Sequence, residues 1–106
     1  MLAAICAACA SPASSQETAG PDAVRLFERA CARCHAADGS GGLAMAQNGP
    51  KPIDLRSADW QAARTDDEIV SAIRDGRGAM PPFRDVLNDA ETLALAGYVR
   101  RLNASP

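Results

Sequence analysis

The stretch CARCH, residues 31 to 35, constrains this chain more than any other. Cys31 and Cys34 stand three positions apart, and His35 follows directly. In helical backbone that spacing brings both thiols to one side of a single turn. His35 is the only histidine in the 106 residues, so no second imidazole can share its work.

Four chemistries can use such a motif. Structural zinc takes four nitrogen or sulfur ligands, and this stretch offers three. The other two cysteines, Cys6 and Cys9, sit in a separate apolar stretch. A thioredoxin-like dithiol belongs to a βαβ context, and no segment of useful length here has a strand's alternation. A disulfide between Cys31 and Cys34 gives His35 no role. Covalent haem uses all three side chains. The thiols of Cys31 and Cys34 add to its two vinyl groups as thioethers, and His35 lies under the iron as proximal ligand. This reading gives one covalent haem c.

The rest of the composition suits a chain built round a cofactor. Hydrophobic residues make up 47%, but many are alanine, and aromatics make up only 4%. Small domains with thin cores usually contain a staple such as a metal or cofactor. The length gives one domain. The formal net charge is −2, with no basic run and no interleaving of basic and aromatic residues, so nucleic-acid binding is not expected. Ten of the basic residues are arginine and only Lys51 is lysine, which argues against a partner drawn by a lysine-rich face.

Residues 1–10, MLAAICAACA, are apolar and uncharged. A bilayer span needs roughly 20 such residues, so this reads as an export signal or lipoprotein leader remnant. It lacks a basic beginning, which leaves open whether Met1 is the true start. Cleavage after Ala10, through Ala8 and Ala10, competes with lipidation at Cys9, where Ala7 and Ala8 resemble a lipobox and Cys6 replaces its usual leucine. Residues 11–20, SPASSQETAG, are small and polar and read as a flexible tether. The compact domain is then residues 21–106.

Within that domain the signals are helical. A first helix is expected from Asp22 to Arg33, with Ala23, Phe27 and Ala30 on one face. Residues 38–52 hold four glycines and two prolines and read as loop. A second helix is expected from Asp66 to Asp75, between a Thr65/Glu68 capping box and a stop at Gly76. A last helix is expected from Asp89 to Leu102, capped by Asn88. Gly97 in its middle costs about 1 kcal/mol against alanine, and close approach by another helix would explain it.

The iron needs a sixth ligand or an open position. The candidates are Met1, Met45 and Met80. Met1 is in the leader, and Met45 follows the haem motif too closely to reach the far face. Met80 lies in GAMPPF, where Pro81 and Pro82 stiffen the backbone. Methionine opposite histidine raises the reduction potential. Two filled axial positions favour electron transfer over catalysis.

These segments together resemble the class I bacterial monohaem cytochromes c, over about Pro21 to Leu102. VRLFERACARCHAADGSGG is similar to the family's first helix and haem motif, DDEIVSAIRDGRGAMPPF to its methionine loop, and ETLALAGYVRRL to its last helix. The resemblance implies an all-α fold, a small helical globule around one haem, with the first and last helices crossing at Phe27 and Tyr98. Ala23 replaces a glycine usual at the crossing, and Gly97 is expected to supply the clearance. The resemblance also implies a haem pocket in which Pro50 or Pro52 offers the carbonyl that fixes the proximal histidine. Trp60, Arg56 and Arg77 are candidates for the haem propionates. It implies one-electron transfer, not catalysis, by a monomer outside the cytoplasmic membrane, held to that membrane only if Cys9 carries lipid. Its partners would be redox proteins: an oxidase, a reductase or a dehydrogenase. A haem subunit docked on a larger enzyme and a ligand-sensing haem protein are the alternatives.

Replacing both Cys31 and Cys34 with serine is expected to abolish the haem-bearing band after denaturing electrophoresis. Replacing Cys6 is expected to leave that band intact.

Overall fold

A computed structural model describes residues 20–42 and 49–104. Met1, Cys6, Cys9, the leader, most of the tether and Met45 lie outside the described residues. The chain forms α1 (Ala23–Ala30), α2 (Ala32–His35), α3 (Ala58–Ala63), α4 (Asp66–Asp75) and α5 (Asp89–Arg101), closed by a 3₁₀ turn at Leu102–Ala104. Among the described residues the only β feature is an isolated bridge between Arg77 and Met80. The fold is all-α, as expected.

Asp22 starts α1 by accepting from the Arg25 N–H at 3.2 Å. The helix expected to run to Arg33 instead breaks at Cys31, whose φ of −115° leaves the helical well. Hydrogen bonds continue across the break: Cys31 N–H reaches Phe27 at 2.9 Å and His35 N–H reaches Cys31 at 2.9 Å. The haem motif therefore occupies its own turn, Cys31 and α2, set off from α1 but still tied to it.

The two capping boxes form as the sequence indicates. Thr65 and Glu68 bond reciprocally at the start of α4, and Asn88 and Glu91 do so at the start of α5. Gly76 ends α4 at φ 81°. Helix α3 was not anticipated. Ser57 caps it by accepting from the Trp60 N–H at 3.2 Å. Its six residues are too few to show a periodic stripe.

The core is a cluster of Phe27, Leu55, Ile69, Ile73, Leu95, Ala96 and Val99. Phe27 and Leu95 are fully buried where α1 meets α5. The Phe27 and Tyr98 rings lie 5.0 Å apart at 46°, a tilted pair worth about 0.5–1.5 kcal/mol beyond its buried area. Arg101 lies over the outer part of this pair, 5.6 Å from the Tyr98 centroid. Two ion pairs tie α4 to α5, Arg74 to Asp89 at 3.1 Å and Arg100 to Asp66 at 2.6 Å.

Gly97 does not serve the crossing as expected. A Cβ there would meet only the tip of Arg101, at 3.7 Å, an ordinary contact. Its clearance faces a shallow groove beside Val24 and Leu93 rather than the backbone of α1. Helix propensity is then the main effect of a side chain at this position. Gly97→Ala is expected to stabilise the protein by up to about 1 kcal/mol, read as a raised denaturant midpoint with an unchanged slope.

Candidate functional site

One cavity of about 610 Å³ collects the sequence-predicted residues. It is lined by Cys31, Cys34, His35, Pro50, Pro52, Trp60, Arg77 and Met80 together with core residues Phe27, Leu55, Ile69, Ile73, Leu95 and Val99. Its size lies within the roughly 300–1,000 Å³ typical of cofactor pockets. Arg56 is not among its walls. That guanidinium is held outside by Asp54 at 3.0 Å and Asp38 at 3.5 Å, which leaves Arg77 as the candidate propionate partner of the two.

Cys34 and His35 enter from α2, and Cys31 from its N-cap. Neither cysteine is paired. Burial, with the neighbouring Cys34 adding to it, pushes the Cys31 thiol up to about 11. Burial lowers the His35 pKa, and the Ile53 carbonyl pushes it part of the way back. The ring is therefore neutral at pH 7, the form that binds a metal. Its Nδ1 is buried and closes no hydrogen bond of normal geometry, so the Ile53 carbonyl acts on the ring without a formed bond. A neutral imidazole with two flanking thiols in an apolar cavity is a donor set that fits haem c.

The expected carbonyl acceptors, Pro50 and Pro52, line the cavity, and the carbonyl that acts on the ring is that of their neighbour Ile53. The Pro52 carbonyl already accepts from Gly42 N–H at 3.3 Å. Gly41 makes the approach possible. A Cβ on it would stand 2.5 Å from the Pro52 and Ile53 carbonyl oxygens, and its N–H instead bonds the His35 carbonyl at 2.7 Å. Sequence reasoning missed Ile53 because any residue can supply a backbone carbonyl.

Met80 is delivered by a tight hairpin. Arg77 and Met80 exchange two backbone hydrogen bonds of 2.9 Å, and Gly78 between them takes φ 58°. The loop is stitched back to α4 by Phe83 N–H to Ile73 at 3.0 Å and Arg84 N–H to Arg74 at 3.2 Å. Gly76 is required for this path, since a Cβ there would stand 2.7 Å from the Met80 carbonyl oxygen and 2.9 Å from the Pro82 nitrogen. The thioether therefore sits on backbone with little freedom.

Charge around the cavity is strongly one-sided. Arg29, Arg33, Lys51, Arg64 and Arg77 line it, against one acid, Glu68. Glu68 is engaged in its capping box. None of those five cations forms an ion pair among the described residues, whereas Arg25, Arg56, Arg74, Arg84 and Arg100, all off the cavity, are each paired with an aspartate. Among the described residues, a chain of net charge −2 thus keeps all of its unpaired cations but Arg101 around one opening.

Comparison with known proteins agrees with this geometry. Residues 18–99 match the family described as cytochrome C oxidase, cbb3-type, subunit III. Cytochrome c6 of Leptolyngbya boryana is 35% identical over 75 residues, covering 71% of this chain and 82% of that protein. The cbb3-type cytochrome c oxidase subunit CcoP of Azospirillum brasilense is 30% identical over 90 residues, 84% of this chain but only 30% of that subunit. The solved structure of the KustC0563 c-type cytochrome superposes with a TM-score of 0.68 at 30% identity, covering 77% of this chain and 98% of that one.

The two glycines of the methionine hairpin should respond differently to alanine. Gly76→Ala meets both strain and backbone collision and is expected to lower stability by about 2 kcal/mol or more. Gly78→Ala meets strain alone, because nothing lies within 4 Å of its added Cβ, and should lower it by about 1 kcal/mol. Chemical denaturation of the two variants beside the parent checks the order.

Proposed function

This chain belongs to the c-type cytochromes, in the family of the cbb3-type cytochrome c oxidase subunit III, and on that premise we propose that it is a one-electron carrier whose haem c is held by Cys31 and Cys34 and ligated by His35 and Met80. Support for this reading comes from one observation: a single cavity takes both thiols and the imidazole from the turn of Cys31 and α2 and the thioether from the pinned hairpin. The haem supplies reversible one-electron chemistry at its iron.

The protein residues supply the setting. Cys31 and Cys34 hold the group by thioether bonds, so it cannot be lost between encounters. His35 and Met80 would both ligate the iron, which would leave no open site for a substrate. The soft sulfur of Met80 favours the reduced state and raises the potential. Ile69, Ile73, Leu95 and Val99 give the cavity an apolar wall. The short hairpin limits movement of Met80 between oxidation states, so little rearrangement accompanies transfer.

The partner reading follows from the charge. The unpaired cations around the cavity suit a redox partner with an acidic face, and they do so with arginines rather than the lysines usually sought. Such a face steers encounter over distances that salt shortens. The resemblance to a whole cytochrome c6 favours a separate carrier. The match to a portion of CcoP favours a second reading, a haem unit docked on an oxidase. Purification of the native protein at low detergent separates the two, since a docked unit brings its enzyme with it. Outside the membrane is the proposed location, and no helix among the described residues is long and apolar enough to cross it. Lipid on Cys9 is a further expectation, read directly from the mature mass.

Met80→Ala tests the ligand set. The oxidised variant should lose the weak sulfur-to-iron absorption at the near-infrared edge, have a lower potential, and bind carbon monoxide. Met45→Ala should do none of these. The opposite pattern would assign the other methionine, and no change in either variant would sink methionine ligation altogether. In a separate measurement, the rate of electron exchange with an acidic partner should fall as salt rises, and an Arg29→Glu, Arg33→Glu double variant should flatten that dependence.

A further inference from the structure

Two polar side chains are buried among the described residues, Thr92 and Gln61. Thr92 is accounted for within its own helix, where its hydroxyl donates to the Asn88 carbonyl at 3.0 Å. Gln61 is different: its side chain bonds only to other segments. Its amide NH₂ donates to the Leu55 carbonyl at 2.9 Å and to the Val99 carbonyl at 2.8 Å. Its Oε1 accepts from Arg100 at 2.8 Å, and the same guanidinium group reaches the Gln61 carbonyl at 2.8 Å. Arg100 also bonds the Arg64 carbonyl and the Asp66 carboxylate.

The amide bridges two buried carbonyls from separate segments at one point, which an apolar side chain could not do. The Val99 carbonyl also accepts from the Leu102 N–H, so removing the amide would leave the Leu55 carbonyl as the group short of a donor, at a cost of about 1–3 kcal/mol.

The Leu55 end of this link leads to the haem ligand. Residues 52–55 form a strap beneath the motif. Leu55 N–H is bonded to the Gly39 carbonyl at 2.8 Å, and the Pro52 carbonyl to Gly42 N–H. Between those anchors lies Ile53, whose carbonyl acts on the His35 ring. The His35 Nδ1 is buried without a formed bond.

We infer that Gln61 is a positioning residue for the proximal histidine: it ties the 52–55 strap to α5, and so holds the Ile53 carbonyl where it receives the His35 Nδ1–H of the haem-loaded protein. A histidine whose outer N–H is hydrogen-bonded donates more strongly to its metal. Gln61 thereby holds the potential down, against the upward pull of Met80. This deepens the ligand set proposed above and rests on His35 binding the iron.

The test uses the full haem-loaded chain with Gln61→Leu, which keeps similar bulk and removes the donors. Its electron equilibrium with a reference couple should shift towards the reduced form by about threefold or more. In NMR spectra of the reduced protein, the His35 Nδ1 proton should exchange faster with solvent. Thr92→Val, which removes a buried hydrogen bond away from the cavity, should lower stability and leave both readouts unchanged. If Gln61→Leu fails to load haem, Gln61→Asn, one methylene short of spanning both carbonyls, should show the same changes in smaller degree. Lost stability with an unchanged equilibrium and an unchanged Nδ1 proton would overturn the positioning role. Failure of His35 ligation itself would be visible first in the parent protein, whose His35 ring protons would then lack the strong displacement caused by a haem lying directly above them.

Discussion

Phe27 from the first helix and Leu95 from the last are both fully buried, and Tyr98 tilts against Phe27 at 5.0 Å. Residues at opposite ends of the domain meet there, and their contact closes the chain into a ring of segments. The haem motif follows α1 directly, and the methionine hairpin is stitched to α4, which packs on α5. Both walls of the cavity are thus hung from one helix crossing. With so few aromatic side chains, little other apolar contact is available to replace it. Loss of this contact would separate the walls before it touched any side chain facing the haem.

The cavity is built from elements of very different stiffness. Cys31, Cys34 and His35 ride on a single helical turn, which keeps their mutual spacing even though α1 breaks before it. Met80 is held by two backbone hydrogen bonds across a tight turn and by a glycine whose replacement would collide with the Met80 carbonyl. The segment beneath His35 has no regular structure of its own. It is held by Gly39 and Gly42 on one side and by Gln61 on the other. An electron carrier gains from such restraint, because a site that barely moves between oxidation states transfers charge with little reorganisation.

Charge is sorted as carefully as bulk. Of the arginines away from the cavity, all but Arg101, which lies over Tyr98, are matched by a nearby aspartate, and those around the cavity are left free. The net charge of −2 conceals this, since a total says nothing of where its parts lie. The exposed ion pairs add little stability, about 0–1 kcal/mol each. Their larger effect is to neutralise the remainder of the surface and leave one positive region at the opening.

Much of this protein was legible in order along the chain. The capping boxes at Thr65/Glu68 and Asn88/Glu91, the stop at Gly76 and the bounds of α4 depend on side chains bonding backbone within four residues, so their spelling is their structure. The CARCH turn is local in the same way, and its chemistry could be read from residue types alone. Helix α3 was not legible, because six residues carry no period. Nor was the role of Gly97, because the need for a glycine depends on what stands opposite it, and only Arg101 does. The Ile53 carbonyl acts on His35, Gln61 joins Leu55 to Val99, and Arg56 is drawn off by Asp38 and Asp54. Each of these was decided by tertiary structure, for one physical reason. A backbone carbonyl, a buried amide or a free guanidinium takes its role from its neighbours in space, and chain closure at the helix crossing determines which neighbours those are.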